Sequence, residues 1–174
     1  RDVLNETLIT GHLVAEDCSG LTYIYTVDAY ERELRVADDI RNLAAKTSLK
    51  THVNINEFID RWQTERVFTL ADKQREAVER SLDSGLTVIT GGPGTGKTTV
   101  VKAIIALAEQ EGLNILLCAP TGRAAKRLAE TTQRKAKTIH RLLGPAGYVG
   151  AHPLFDHNRD NPLEGDLIIV DEVS

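Results

Sequence analysis

Eight residues constrain this chain more than any others: Gly91-Gly92-Pro93-Gly94-Thr95-Gly96-Lys97-Thr98. They fit the spacing G-x-x-x-x-G-K-[ST]. Glycines let successive backbone N–H groups converge on one point, and a helix N-terminus behind them adds the positive end of its dipole. Such a run needs a strand before it and a helix after it. The flanks predict both. Leu86–Thr90 is a short apolar run, and Thr98–Gln110 carries Val101, Ile104, Ile105 and Ala108 at helical spacing. The ligand this arrangement suits is the phosphate chain of a nucleotide. Gly92, Pro93, Gly94, Thr95, Gly96, Lys97, Thr98 and Thr99 are the candidate binding residues. Lys97 is expected to reach the β- and γ-phosphates, and the Thr98 hydroxyl to ligate Mg²⁺.

A second run completes the chemistry. Leu167-Ile168-Ile169-Val170 is apolar throughout and delivers Asp171 and Glu172 to its C-terminal end. Ligands of open α/β sheets bind at that end of the strands. Asp171 is the candidate metal ligand, directly or through water. Glu172 is the candidate general base that polarises an attacking water. An adjacent glutamate favours an ATPase carrying its own base over a GTPase switch or a small-molecule kinase. Upstream, Gln74 lies on a helical face with Ala77, Val78 and Leu82. Its amide offers one donor and one acceptor, which suits an adenine edge.

The stretch from Ala119 to Arg141 is basic. Arg123, Lys126, Arg127, Arg134, Lys135, Lys137 and Arg141 stand against one acid, Glu130. This is either a solvated face or a surface for single-stranded nucleic acid. It has no aromatic residue for stacking, so the contacts expected are to the backbone.

The alternation of apolar runs and helices predicts a parallel sheet covered on both faces. Its further pieces are strands at Ile115–Ala119 and Asp166–Val170, a helix at Arg123–Thr132, and a helix before the loop ended by Gly85. The segment Gly144–Gly165, rich in Gly, Pro, His and Asn, is long for a bare loop and predicts a small hairpin or excursion.

Residues 1–66 are organised differently. His12–Glu16 and Leu21–Thr26, with turn residues between them, predict a β-hairpin. Asp28 and Glu31 predict a capping box ahead of a helix that buries Tyr30, Leu34, Ala37, Ile40 and Ala44. Asn54 and Glu57 predict a second capping box, leading into Phe58, Ile59 and Trp62. The expectation is a small α+β, winged-helix-like module over residues 1–66 and an α/β domain over residues 67–174. The module is either a structural lead-in or a direct DNA contact.

Composition narrows the class further. At 174 residues the chain holds one domain, or one plus a fraction. With 41% hydrophobic and 26% charged residues it is neither disordered nor collagen-like. No run approaches the ~18 apolar residues of a membrane span. A net charge of −4 confines any nucleic-acid contact to a local patch. Its two cysteines, far apart, fit a reducing compartment, and a cytoplasmic location is expected. The five histidines show no metal-ligand spacing. There is no methionine, and the chain is expected to be an excerpt of a longer protein.

From Leu70 to Ser174 these motifs together resemble the RecD-like ATP-dependent DNA helicases of superfamily 1. Leu70–Val78 is similar to the family's Q motif, Ile89–Thr99 to its motif I, and Ala119–Leu128 to its motif Ia. Thr138–Leu143 resembles the DNA-contact motif that follows, and Asp166–Ser174 resembles motif II. The hairpin and helix at Gly11–Lys46 resemble, less specifically, the segment ahead of the motor.

The resemblance implies a RecA-like P-loop NTPase sheet, with Gln74 reading adenine and Lys97, Thr98, Asp171 and Glu172 in the roles above. It implies that Pro120, Thr121, Arg123, Thr138 and His140 lie along single-stranded DNA. It further implies ATP and Mg²⁺ as cofactors, movement 5′ to 3′, single-strand/duplex junctions as substrates, and repair or recombination proteins as partners. Two positions depart from the family pattern. Ala71 stands where a Ser or Thr cap is usual, and Val173 where motif II has alanine. Motif III and the second motor domain are not in this chain, so it is expected not to unwind DNA alone. The other readings are a relaxase's helicase domain or another superfamily 1 motor, a non-motor P-loop regulator or clamp gated by nucleotide, and a DNA-binding module with a vestigial nucleotide site.

Overall fold

The structure is a computed structural model and describes residues 6–8, 10–46, 51–150 and 152–173. Two compact units divide it: Arg1–Ser48 with Ser84–Thr87, and Leu49–Asp83 with Val88–Ser174.

In the first unit, strands β1 (Leu13–Cys18) and β2 (Leu21–Thr26) form the expected hairpin, paired antiparallel from Leu13↔Thr26 to Cys18↔Leu21. Ser19 and Gly20 turn the corner at φ +53° and +81°. Positive φ at both central residues of a two-residue loop matches the right-handed twist of the strands. Helix α1 (Val27–Ala44) starts earlier than the Asp28 capping box predicts. Thr26 closes β2 in extended conformation, and its hydroxyl accepts from Ala29 N at 3.3 Å. Asp28 instead sits in the first turn and pairs with Arg32. No residue of α1 is buried, so the predicted apolar face is half exposed at Leu34 and Ile40.

Gly85 is not a helix cap. A Cβ there would run into the Leu43 carbonyl oxygen, so the glycine permits a close backbone approach within this unit.

In the second unit, α2 (Ile55–Arg66) is capped as predicted. The Asn54 side chain accepts from Asn56 N and Glu57 N and donates to Glu57. The sequence reading groups this helix with residues 1–66. Its apolar face, Phe58, Ile59 and Trp62, packs with Leu70, Val78, Leu82, Val100, Ala103, Ile104 and Leu107. Helix α3 (Asp72–Arg80) stops at Ser81, four residues before Gly85. Arg75 joins α3 to α2, donating to Asp60 at 2.7 Å and Asn56 at 2.8 Å, and to Glu79 of its own helix at 3.0 Å.

Next come α4 (Lys97–Gln110), β3 (Ile115–Ala119), α5 (Gly122–Thr132), β4 (Ala136–Thr138) and α6 (Ile139–Leu143). Strands β5 (Pro145–Val149) and β6 (His152–Phe155) make the predicted excursion, an antiparallel hairpin. Strand β7 (Leu167–Val170) closes the chain.

The sheet runs β4-β3-β7 and is parallel throughout, with Leu117↔Ala136 on one side of β3 and Leu117↔Ile169 on the other. This α/β arrangement with a parallel sheet is that of the P-loop domain the sequence predicts. Ile105, Leu117 and Leu128 form a second core cluster. Fully burying residues such as Ile59, Leu82, Leu107 and Val78 contributes roughly 1.5–3 kcal/mol each.

Two further expectations differ. Leu86–Thr90 forms no strand and pairs in no ladder, and Val88 is 76% exposed. The sheet is also not covered on both faces at β7. Ile168 and Val170 are 44% and 40% exposed while Leu167 and Ile169 pack inward. Side chains alternate across a strand, and at this margin only one face meets a core. Among the described residues no helix is long and apolar enough to cross a membrane.

Candidate functional site

The glycine-rich loop closes on itself. Gly94 and Gly96 take φ of +76° and +81°, a region that side-chain-bearing residues seldom adopt. Thr95 Oγ1 donates to the Gly92 carbonyl at 2.9 Å. Lys97 opens α4, with Gly96 as its N-cap, and its ammonium turns back to donate to the carbonyls of Gly91 and Gly92. The cation therefore stands over the loop's own backbone, at the positive end of a helix.

Gln74 joins this group from α3. Its Nε2 donates to the Thr95 carbonyl at 2.8 Å, and its Oε1 accepts from Ala71 N at 3.0 Å. Ala71, the N-cap, has no side-chain acceptor, so only the glutamine half of a capping box forms. The amide expected at an adenine edge is thus occupied at both ends, by its own helix start and by the phosphate loop.

A parallel sheet brings the remaining candidates to one edge. Asp171 and Glu172 leave the C-terminal end of β7, Pro120 and Thr121 that of β3, and Thr138 ends β4. Asp171 N donates to the Cys118 carbonyl at 3.0 Å, which extends the β3–β7 ladder one residue into the site. Glu172 follows at φ +56°, and its N–H donates to Asp171 Oδ1 at 3.0 Å. A non-glycine residue in this region costs of order 1–3 kcal/mol and persists where its surroundings hold it.

Thr121 and Thr138 act as N-caps. Thr121 Oγ1 accepts from Ala124 N at 3.2 Å, and Thr138 Oγ1 from Arg141 N at 3.2 Å. Each hydroxyl keeps its proton to donate. Pro120 and Arg123 are exposed, and His140 is exposed with its ring 5.8 Å from that of Phe155. The β5–β6 hairpin is tied to α6 through Asp156 N to the Gly144 carbonyl at 2.7 Å and His157 N to the Leu143 carbonyl at 2.9 Å.

Sequence reasoning placed Arg127 in the basic patch without a specific role. It reaches out of α5 to Glu172, Nη1 to Oε1 at 3.6 Å. No spacing rule finds a contact between residues so far apart in the chain. The bridging of α2 and α3 by Arg75 was missed for the same reason. Beneath the site, Cys118 is buried, and that burial pushes its thiol above the usual range. Among the described residues no group of three or more His, Cys, Asp or Glu forms a metal cluster.

Parts of the chain are similar to known proteins. Residues 74–174 match the family described as AAA domain. The ATP-dependent RecD2 DNA helicase of Deinococcus radiodurans is 50% identical over 107 residues, 60% of this chain and 14% of that protein. The RecBCD enzyme subunit RecD of Mycolicibacterium smegmatis is 44% identical over 126 residues, 59% of this chain and 22% of that protein. The RecBCD enzyme subunit RecD of Haemophilus influenzae is 32% identical over 181 residues, 89% of this chain and 27% of that protein. The chain thus spans between 14% and 27% of the lengths of these relatives. With more than half of its residues inside the family match and these relatives beside it, the chain belongs to the AAA domain family and, within it, to the RecD-like helicases.

Proposed function

We propose that the intact protein is an ATP-dependent DNA helicase or translocase that moves 5′ to 3′ on single-stranded DNA. One observation supports this most. The acidic pair after β7 and the polar residues after β3 and β4 share one edge of a single parallel sheet, and Arg127 of the basic helix touches Glu172 there. Chemistry on a nucleotide and contact with a strand then lie within one layer.

In this reading the loop from Gly92 to Thr99 holds the phosphates of ATP. Lys97 exchanges its bonds to Gly91 and Gly92 for phosphate oxygens. Gln74 reads adenine by exchanging one of its two present partners. The Thr98 hydroxyl and Asp171 carboxylate are hard oxygen donors of the kind that would hold Mg²⁺. When bound, the ion would neutralise charge on the β- and γ-phosphates. Glu172 takes the proton of the attacking water. As the water oxygen bonds to the γ-phosphorus, the bond from that phosphorus to the β–γ bridging oxygen breaks and ADP leaves with that oxygen.

Pro120, Thr121, Arg123, Thr138 and His140 line the strand. Hydroxyls and a guanidinium suit its phosphates and carry no base code. Single-strand/duplex junctions are the substrate, repair or recombination proteins are the partners, and the cytoplasm is the compartment.

The test is ATP turnover by the full-length protein with and without single-stranded DNA, alongside Lys97→Ala. Strong stimulation by DNA and loss of turnover in the variant are expected. Retained turnover in Lys97→Ala overturns the assignment. Turnover indifferent to DNA favours a nucleotide-gated regulator. Duplexes tailed at the 5′ or the 3′ end test polarity, and only the 5′-tailed duplex should be unwound.

A further inference from the structure

We propose that Arg127 is a positioning residue for Glu172, holding the carboxylate while DNA is absent and yielding it when a DNA phosphate takes the guanidinium. This rests on the reading of Glu172 as general base.

Three observations carry it. First, the cations of α5 are differently engaged. Lys126 pairs along its own helix with Glu130, whereas Arg127 leaves the helix for Glu172. Second, Arg127 lies one turn beyond Arg123, on the exposed side of α5. Ala124, Ala125 and Leu128 are the buried residues of that helix. Residues four apart share a helical face. A phosphate chain following Arg123 along α5 therefore passes the guanidinium that holds Glu172. Third, the pair is built to exchange. At 3.6 Å it is longer than a charge-assisted hydrogen bond, and the two side chains are 75% and 52% exposed. Exposed ion pairs of this kind are weak. A phosphate offers the planar guanidinium two parallel hydrogen bonds.

The consequence is a link between the strand and hydrolysis that needs no domain movement. A carboxylate engaged by a guanidinium is not at the same time placed to take a proton from water. Its backbone, held at φ +56° with the N–H tied to Asp171, leaves side-chain rotation as the remaining freedom of Glu172. DNA releases that rotation by competing for Arg127.

The experiment uses the full-length protein and measures kcat and KM for ATP without DNA and at saturating oligothymidylate. The variants are Arg127→Ala, Arg127→Gln, Arg127→Lys and Glu172→Gln. Arg127→Ala and Arg127→Gln should raise DNA-free kcat by about two- to fivefold with the KM for ATP unchanged, as expected for loss of a weak restraint. Their kcat at saturating DNA should stay near wild type, so the stimulation factor falls. Arg127→Lys should retain most of the stimulation. DNA-free kcat that is unchanged or lower in both neutral variants overturns the proposal, as does a wild-type protein that DNA does not stimulate. Should Arg127→Ala unfold, Arg127→Gln decides alone. Glu172→Gln separates the two levels. Loss of turnover keeps the base assignment whatever Arg127 does, and wild-type turnover removes it.

Discussion

The Gln74 amide spans from the start of its own helix to the phosphate loop, accepting from Ala71 N at 3.0 Å and donating to the Thr95 carbonyl at 2.8 Å. One side chain therefore sets both the first turn of α3 and the shape of the loop. Gln74→Ala should raise the KM for ATP by roughly three- to tenfold and the KM for GTP by less, because a lost hydrogen bond of ~1 kcal/mol acts on the loop common to both while the adenine contact is lost for ATP alone. Steady-state kinetics with the two nucleotides checks this. A rise confined to ATP would assign the amide to the base alone.

Gly96 is the tightest point of that loop. Its φ is +81°, and a Cβ there would collide with the Gln74 amide nitrogen. Gly96→Ala should abolish detectable nucleotide binding while leaving the far core of the unit folded. Titration with a fluorescent ATP analogue, with circular dichroism as the control for folding, reads both. Wild-type affinity would mean that the loop adopts another shape when it binds.

Arg75 holds two helices together through Asp60 and Asn56, and Asp60, with Glu79 of its own helix, holds its guanidinium above its ordinary pKa. Its side chain is 29% exposed, but Asp60 is 66% and Glu79 36% exposed, so solvent screens the charge pairs and the covered guanidinium's hydrogen bonds carry the effect. Arg75→Ala should destabilise the unit by about 1–3 kcal/mol. Thermal unfolding of the variant against wild type measures it. An unchanged Tm would mean that solvent replaces all three partners at no cost.

Burial raises the pKa of the Cys118 thiol. In native protein Cys18 is exposed and Cys118 is buried, so a thiol reagent at neutral pH should modify one cysteine and reach the second only after denaturation. The sign of the pH effect follows. A raised folded-state pKa contributes stability that is present below the unfolded value and lost as pH rises. Stability should therefore fall above about pH 9, and Cys118→Ser should flatten that fall. Denaturant midpoints measured from pH 7 to 10 test it.

The phosphate loop was legible because its demands are local. Gly94, Gly96 and Lys97 prescribe backbone and charge within a few residues of one another. The apolar runs before Pro120 and Asp171 were legible for a similar reason, since a strand inside a parallel sheet repeats no polar residue. The N-cap of α1 was misplaced because Thr26 and Asp28 are both good caps two residues apart. The choice fell to Thr26, which was already extended at the end of β2. Leu86–Thr90 has strand composition and no ladder, and composition does not supply a partner.

Order along the chain thus determined the class of fold, the loop and the acidic pair, because each depends on neighbours in sequence and on backbone chemistry. Tertiary structure alone decided which distant groups meet. It set Phe58, Ile59 and Trp62 into the core beside α4 and turned Gln74 onto Thr95. It also brought Arg127 to Glu172. These contacts arise where helices and strands pack, and packing selects partners by shape and burial, properties that do not exist until the chain has folded.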